Sequence, residues 1–181
     1  MATHRNPAWA ELLQLLPIIS LAFPFIVAGK VDLSRAAPGF LLGALLALPI
    51  SVAVLWRRHR LNPILIGTDL WLWLGLAAFY VPIPALPAWL IEAQAFGLFA
   101  LALVVGIVAT FWFPSGYIAC PSSDPRWTRR MSLYLLGLTV VIVLWSWIFR
   151  RDIRLGGGLP FIVLNVARRV IGRKAPVSPS T

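Results

Sequence analysis

Residues 93–113 read AQAFGLFALALVVGIVATFWF, a run of 21 residues without a charged side chain. About 20 apolar residues in a helix are enough to cross the hydrocarbon core of a bilayer. Four more stretches of this kind lie on either side of it, and Asp69 is the single charge in all five; the four are 12–28, 40–56, 64–83 and 131–149. We therefore predict an all-α integral membrane protein, a polytopic helical bundle of five spans followed by a short sixth segment.

The composition allows one domain and accounts for the strong positive charge. With 181 residues, of which 60% are hydrophobic, the chain has room for one bundle, predicted at 1–174, and a disordered polar tail at 175–181. The net charge of +10 would suggest nucleic acid for a soluble protein. Here the basic residues follow apolar spans, which favours contact with membrane lipids and excludes a nucleic-acid partner. The predicted contacts with anionic lipid are Arg57, Arg58, Arg60, Arg168 and Arg169.

The sixth segment, Leu155–Ile171, leaves three alternatives open. Only 13 residues, Leu155 to Ala167, precede the first arginine of this segment, which is short for a span and also suits a re-entrant or interfacial segment. If the segment crosses, eleven Lys and Arg lie on the side of the N-terminus and five on the other side. Cytoplasmic loops carry the excess of Lys and Arg, so this distribution predicts that both termini are cytoplasmic.

Asp69 is the candidate intramembrane site for a proton or cation. An ionised carboxylate inside a membrane is costly unless it is paired, hydrated or protonated, so such residues often mark ion pathways. Helical spacing puts Asp69 on one stripe with Trp73, Leu76 and Tyr80, which we expect to face the interior of the bundle. The structural alternative is a buried carboxyl group that hydrogen-bonds Gln14, Ser20 or Ser51, or that pairs with Arg57 to Arg60.

Two stripes of small residues predict close helix packing. Small side chains four residues apart let two helix backbones approach each other, which supplies association energy in lipid. The stripes are Gly39, Gly43, Ala47 and Ser51 in the second span, and Ala102, Gly106 and Thr110 in the fourth. The pattern does not decide whether they bind each other or another protein.

The remaining polar residues suggest structural roles. Asn62 and Pro63 predict a helix start, as N-cap and first helical residue. Glu92, near the predicted start of the fourth span, suits a helix N-terminus, and Asn165 suits a hydrogen bond between helices. Metalloprotease, phosphate-loop and serine-hydrolase motifs are missing from the sequence, and Cys120 is its one cysteine. We predict no enzyme activity, no metal and no cofactor.

Several segments together resemble the bacterial intracellular septation protein A family. They are the opening Leu15-Leu16-Pro17, the arginine turn Arg57-Arg58-His59-Arg60, the run from Glu92 to Leu101 and the ending Leu159-Pro160-Phe161-Ile162-Val163-Leu164-Asn165. The resemblance implies a multi-pass protein of the bacterial inner membrane that takes part in envelope synthesis and division through contacts with other membrane proteins, without catalysis. The final span here is shorter than is usual in that family.

Two functional hypotheses follow. In the first, the protein acts by association with membrane proteins or with itself, in an envelope or other membrane complex, and the second and fourth spans supply the packing faces. In the second, it is a small transporter or channel with Asp69 as the ion site.

Overall fold

The computed structural model of the protein is a bundle of helices in which each packs against its neighbours along the chain. It describes residues 12–20, 33–56, 61–81, 85–120, 122–150, 152 and 154–176. The helices are α1 (Leu33–Trp56), α2 (Pro63–Tyr80), α3 (Ala85–Trp112), α4 (Pro125–Ile148) and α5 (Leu159–Arg173), with a π-helical turn at Arg154–Gly158 directly before α5. Residues 12–20 form a further short helical segment.

Five helices are long and apolar enough to cross a membrane, which confirms the all-α membrane bundle. Four correspond to predicted spans two to five, and the fifth is the segment Arg154–Arg173. Of the predicted span 12–28, the structure describes residues 12–20, and the rest lies outside the described residues. Helix α3 begins at Ala85, well before the predicted start, because Pro87 falls in its first turn, where no backbone donor is needed.

Helix α5 runs from one end of the bundle to the other. At its start, Trp145 Nε1 and Ser146 Oγ of α4 donate to the carbonyls of Leu155 (3.0 Å) and Gly156 (2.6 Å). At its far end, Cys120 Sγ in the α3–α4 loop donates to the Gly172 carbonyl (3.4 Å). Of the three alternatives for this segment, the structure therefore favours a span. We call the end that holds Gly172 the C-terminal end of the bundle.

The bundle continues two residues beyond its predicted boundary at Lys174. Ala175 is buried, and the Pro176 carbonyl accepts hydrogen bonds from the backbone N–H and the hydroxyl of Ser123, at 3.1 and 3.2 Å. These bonds fix the chain at Pro176 against the α3–α4 loop, and the disordered tail stays a prediction. Residues 177–181 lie outside the described part of the chain.

Exposed aromatic side chains occur at both ends of the bundle. Trp56, Trp112 and Phe113 are exposed at the C-terminal end. At the opposite end Tyr80, Trp89 and Trp147 are exposed. Because Trp and Tyr favour the level of the lipid headgroups, these two belts indicate where the membrane surfaces cross the bundle.

Large side chains packed over glycine hold the core together. Phe40 of α1 packs over Gly75 of α2, and Trp71 of α2 packs over Gly97 of α3. The backbones of α2 and α3 also approach each other closely, since a Cβ at Gly67 would lie 2.5 Å from Ala102 Cα. Lipid gives little hydrophobic drive for helices to associate, so this close packing supplies much of the cohesion.

Candidate functional site

Asp69 lies about 9 Å along α2 from Pro63, in contact with α1. Ser51 of α1 donates its hydroxyl to Asp69 Oδ2 at 3.1 Å. The second oxygen, Oδ1, is buried and has no hydrogen-bond partner among the described residues. Of the structural partners that the sequence suggested, Ser51 is in contact with Asp69, while Arg57, Arg58 and Arg60 lie outside the described residues.

The stripe that carries Asp69 is partly buried and partly exposed, which corrects the expectation that all of it faces the interior of the bundle; Asp69 and Leu76 are half-buried, and Leu76 packs against the core. Trp73 is 39% exposed and Tyr80 61% exposed. The inward face of α2 instead carries Ile64, Thr68, Trp71, Leu72, Gly75 and Ala78, all of them buried. Asp69 is thus placed at the edge of the α1–α2 contact and away from the centre of the bundle.

The two small-residue stripes face inward, and their closest contacts are within the chain. A Cβ at Gly43 would lie 3.0 Å from the Pro17 carbonyl oxygen and close to Leu72, and Ala102 meets Gly67. Gly106 lies beneath the Tyr117 ring, and Thr110 donates to the Gly106 carbonyl at 2.7 Å. Gly39 and Ala47 are also buried, and Ser51 is half-buried. Gly43, Ala102 and Gly106 are therefore used in contacts within the chain.

The buried face of α4 is lined with hydroxyl groups, a feature that the sequence analysis missed. Thr128, Ser132, Thr139 and Ser146 are all buried and hydrogen-bonded, whereas Val141 and Leu144 on the other face are exposed. The signal was present, because Ser132, Thr139 and Ser146 recur every seven residues within the apolar stretch 131–149. Each hydroxyl is satisfied internally, so the face serves to hold the fold.

Tyr117 turns back from the α3–α4 loop and fills the space between α3 and α4. Its backbone N–H donates to Ser132 Oγ at 3.0 Å, and its hydroxyl lies 3.3 Å from the Thr139 hydroxyl. Gly116, at φ 59°, provides the left-handed turn that directs the side chain inward. Burial raises the pKa of Tyr117 to about 12, so the phenol remains a neutral hydrogen-bonding group at physiological pH.

Three amide side chains link neighbouring segments at the C-terminal end of the bundle. Gln14 Oε1 accepts from the Asn62 backbone N–H at 3.0 Å, and Asn62 Nδ2 donates to Asn165 Oδ1 at 3.3 Å. Asn62 Oδ1 also accepts from the Ile64 N–H at 3.1 Å, the predicted N-cap of α2. This chain of bonds joins the 12–20 segment, α2 and α5.

Arg168 was expected among the lipid headgroups, but it is only 8% exposed. Its Nη1 donates to the Ile118 carbonyl at 3.4 Å, because α5 packs Leu164 and Arg168 on one inward stripe. Arg169, one position further along, is exposed and can reach lipid. The other predicted lipid contacts, Arg57, Arg58 and Arg60, lie outside the described residues.

Two further acidic residues have clear positions. Asp124 is the N-cap of α4, where its carboxylate accepts from the Arg126 N–H at 2.8 Å. Glu92 is exposed in the third turn of α3, too far from the start of that helix for the predicted interaction with its N-terminus. Within the described part of the chain, no group of His, Cys, Asp and Glu is arranged to hold a metal ion.

Comparisons of the chain with protein-family models, curated proteins and solved structures gave no match. The function must therefore be inferred from the arrangement of the chain itself. Asp69 and the exposed face of α1 are the two features of the described residues that we consider further.

Proposed function

We propose that this protein acts by binding other membrane proteins, as a non-catalytic subunit of an envelope complex in the bacterial inner membrane. The resemblance to the septation protein A family supports the location and the class of partner. The sequence suggested the two small-residue stripes as packing faces for a partner. Because both stripes face inward, a different face must bind the partner. That face is the outward side of α1.

The observation that carries this proposal is Pro49 in the exposed middle of α1. Proline has no N–H, so Pro49 leaves the Leu45 carbonyl without the donor that a regular helix provides. Leu45 and Pro49 are both exposed. A backbone group without its partner is tolerated at membrane depth where another helix covers it, and poorly where it faces lipid. A transmembrane helix with a polar side chain suits this face.

The charge distribution supports an orientation for the complex. With the predicted span 12–28 and α5 both counted as spans, Lys and Arg number eleven on the side of the termini and five on the other side. By the positive-inside rule, both termini are cytoplasmic, and a partner can reach α1 from within the membrane. A reporter domain fused to the C-terminus should therefore be active in the cytoplasm.

The first test replaces Leu45 with Trp, which places a bulky ring on the outward face of α1. Leu45 is 57% exposed, so the fold should tolerate the ring, while a docked helix should be displaced. We expect at least about a fivefold loss of co-purified membrane protein, corresponding to about 1 kcal/mol of binding. The measurement is quantitative mass spectrometry after gentle extraction of the full-length protein.

Val141→Trp is the matched control, because Val141 is 59% exposed in the middle of α4. It should leave the co-purified partner unchanged. A photo-crosslinker at position 45 should give a product heavier than the monomer. Equal losses in both Trp variants, or crosslinks only to lipid or within the chain, would contradict the proposal.

A second candidate function rests on the unpartnered oxygen of Asp69. A carboxyl group with one oxygen bonded to Ser51 and the other buried, with no partner among the described residues, suits a site that takes up and releases a proton or cation. Because Asp69 lies between α1 and α2, binding of a proton or cation would act on the contact between these two helices.

Asp69→Asn separates the two functions. The amide keeps an oxygen that can accept from Ser51, so the protein should remain folded, but it cannot ionise. If Asp69 is an ion site, proton or cation flux into vesicles containing the purified protein should fall to the background level. If the protein acts by association alone, Asp69→Asn should retain its partner and wild-type vesicles should show no flux.

A further inference from the structure

An open groove lies at the end of the bundle opposite to the C-terminal end, where α4 finishes. It encloses about 660 Å³ and is lined by Trp147, Ile148, Phe149, Arg150 and Asp152. Ile148 and Trp147 are both exposed, so the walls are largely apolar. The groove starts at the last residue of the α4 span and is therefore at the level of the membrane surface.

Arg150 supplies the polar side of this groove. Its guanidinium carbon lies 4.4 Å from the centre of the Trp147 ring, and that ring is held in turn by Phe96, with the ring centres 5.0 Å apart. A stacked guanidinium keeps its N–H groups free at the edge of the plane, in the fork that matches phosphate oxygens. Within the described part of the chain, no hydrogen bond or ion pair involves these N–H groups.

The neighbouring carboxylate does not neutralise Arg150 directly. Asp152 Oδ1 accepts from the N–H groups of Arg154 (2.9 Å) and Leu155 (3.1 Å), which caps the π-helical turn. Residues 150–154 contain three arginines and this one aspartate. The local charge is therefore positive, while the carboxylate is used in the fold.

We propose that this groove binds one anionic phospholipid, with the phosphate on the Arg150 guanidinium and the start of an acyl chain along Trp147 and Ile148. The apolar walls of the groove match the acyl chain of such a lipid, and the stacked Arg150 guanidinium matches its phosphate. The position at the membrane surface puts both parts at the depth that a lipid occupies in the bilayer. A free phosphate ion would use Arg150 and leave the apolar walls uncovered. This proposal is independent of the partner on α1.

The test measures phosphatidylglycerol binding to the delipidated full-length protein in detergent, by native mass spectrometry across a lipid titration. Arg150→Gln should weaken the tightest site about tenfold, as expected for the loss of a charge-assisted hydrogen bond. Ile148→Trp, which fills the groove at an exposed position, should weaken it to a similar extent while Arg150 remains in place. Both variants change partly or fully exposed positions and should keep the wild-type melting temperature.

Arg129→Gln is the matched control. The Arg129 guanidinium also lies over an aromatic ring, that of Phe111 at 5.6 Å, but α4 begins there, at the C-terminal end of the bundle. Arg129→Gln should leave the lipid affinity of the tightest site unchanged. Equal weakening by Arg129→Gln would mean that overall charge controls binding, and no weakening by Arg150→Gln would mean that the groove is not the site. Thermal stabilisation by inorganic phosphate equal to that by the lipid would also overturn the proposal.

Discussion

Gly67→Ala is expected to destabilise the bundle by about 3 kcal/mol, because it forces α2 and α3 apart. The new Cβ would lie 2.5 Å from Ala102 Cα and 2.8 Å from Ala102 N, and these are backbone atoms that no side-chain rotation can move. For a protein of this size, such a loss lowers the unfolding temperature by about 6 to 12 °C. The measurement is a thermal unfolding curve of the purified protein in detergent.

Gly137→Ala provides the comparison. A Cβ at Gly137 meets no other atom within 4 Å, so the substitution should leave the unfolding temperature unchanged or raise it slightly through helix propensity. Together the two substitutions separate the loss of a close helix contact from the general effect of alanine. A Gly67→Ala protein as stable as Gly137→Ala would show that α2 and α3 are not in close contact.

Tyr117→Ala should be equally severe, with a loss of about 3 to 5 kcal/mol. The Tyr117 side chain is fully buried between Gly106 and α4, so its removal leaves a cavity that the helices cannot easily close. The hydrogen bond at Thr139 is lost with it. Urea or thermal unfolding at neutral pH would measure the effect.

Two other tyrosine substitutions resolve what Tyr117 contributes. Tyr117→Phe keeps the ring and removes the hydroxyl, so it should cost only about 1 kcal/mol. Tyr134→Ala, at a residue that is 65% exposed on α4, should change stability little. Similar losses for Tyr117→Ala and Tyr134→Ala would argue against the buried position of Tyr117.

The spans could be predicted from the sequence because crossing a membrane requires long apolar helices, a requirement that each span meets alone. The ends of the helices were harder to predict. Helix α3 starts at Ala85 because a proline in the first turn, here Pro87, does not interrupt a helix. The side of each helix that faces the interior was the hardest to predict. In the 93–113 stretch nearly every position is apolar, so polarity marks the interior only where residues such as Thr110 occur.

At the candidate site, too, some features could be predicted from the local sequence and others could not. Asp69 could be identified because a charge in an apolar span is rare, and Ser51 was among its expected partners. The direction of its stripe was wrong for two of its four residues, because Trp73 and Tyr80 resemble interior residues in size but are exposed. The burial of Arg168 depends on contacts between α5 and the α3–α4 loop, which are 50 residues apart in the sequence. Local patterns carry no information about such contacts.

The contacts between the α3–α4 loop and the end of α5 also bear on how the protein is made. The carbonyls of Gly172 and Pro176 accept from Cys120 and Ser123 in that loop. These acceptors are 52 and 53 residues later in the chain than their donors, so they are synthesised after the loop and after α4. The loop therefore reaches its final structure only once α5 has joined the bundle, and during insertion the first helices form an incomplete assembly in the membrane.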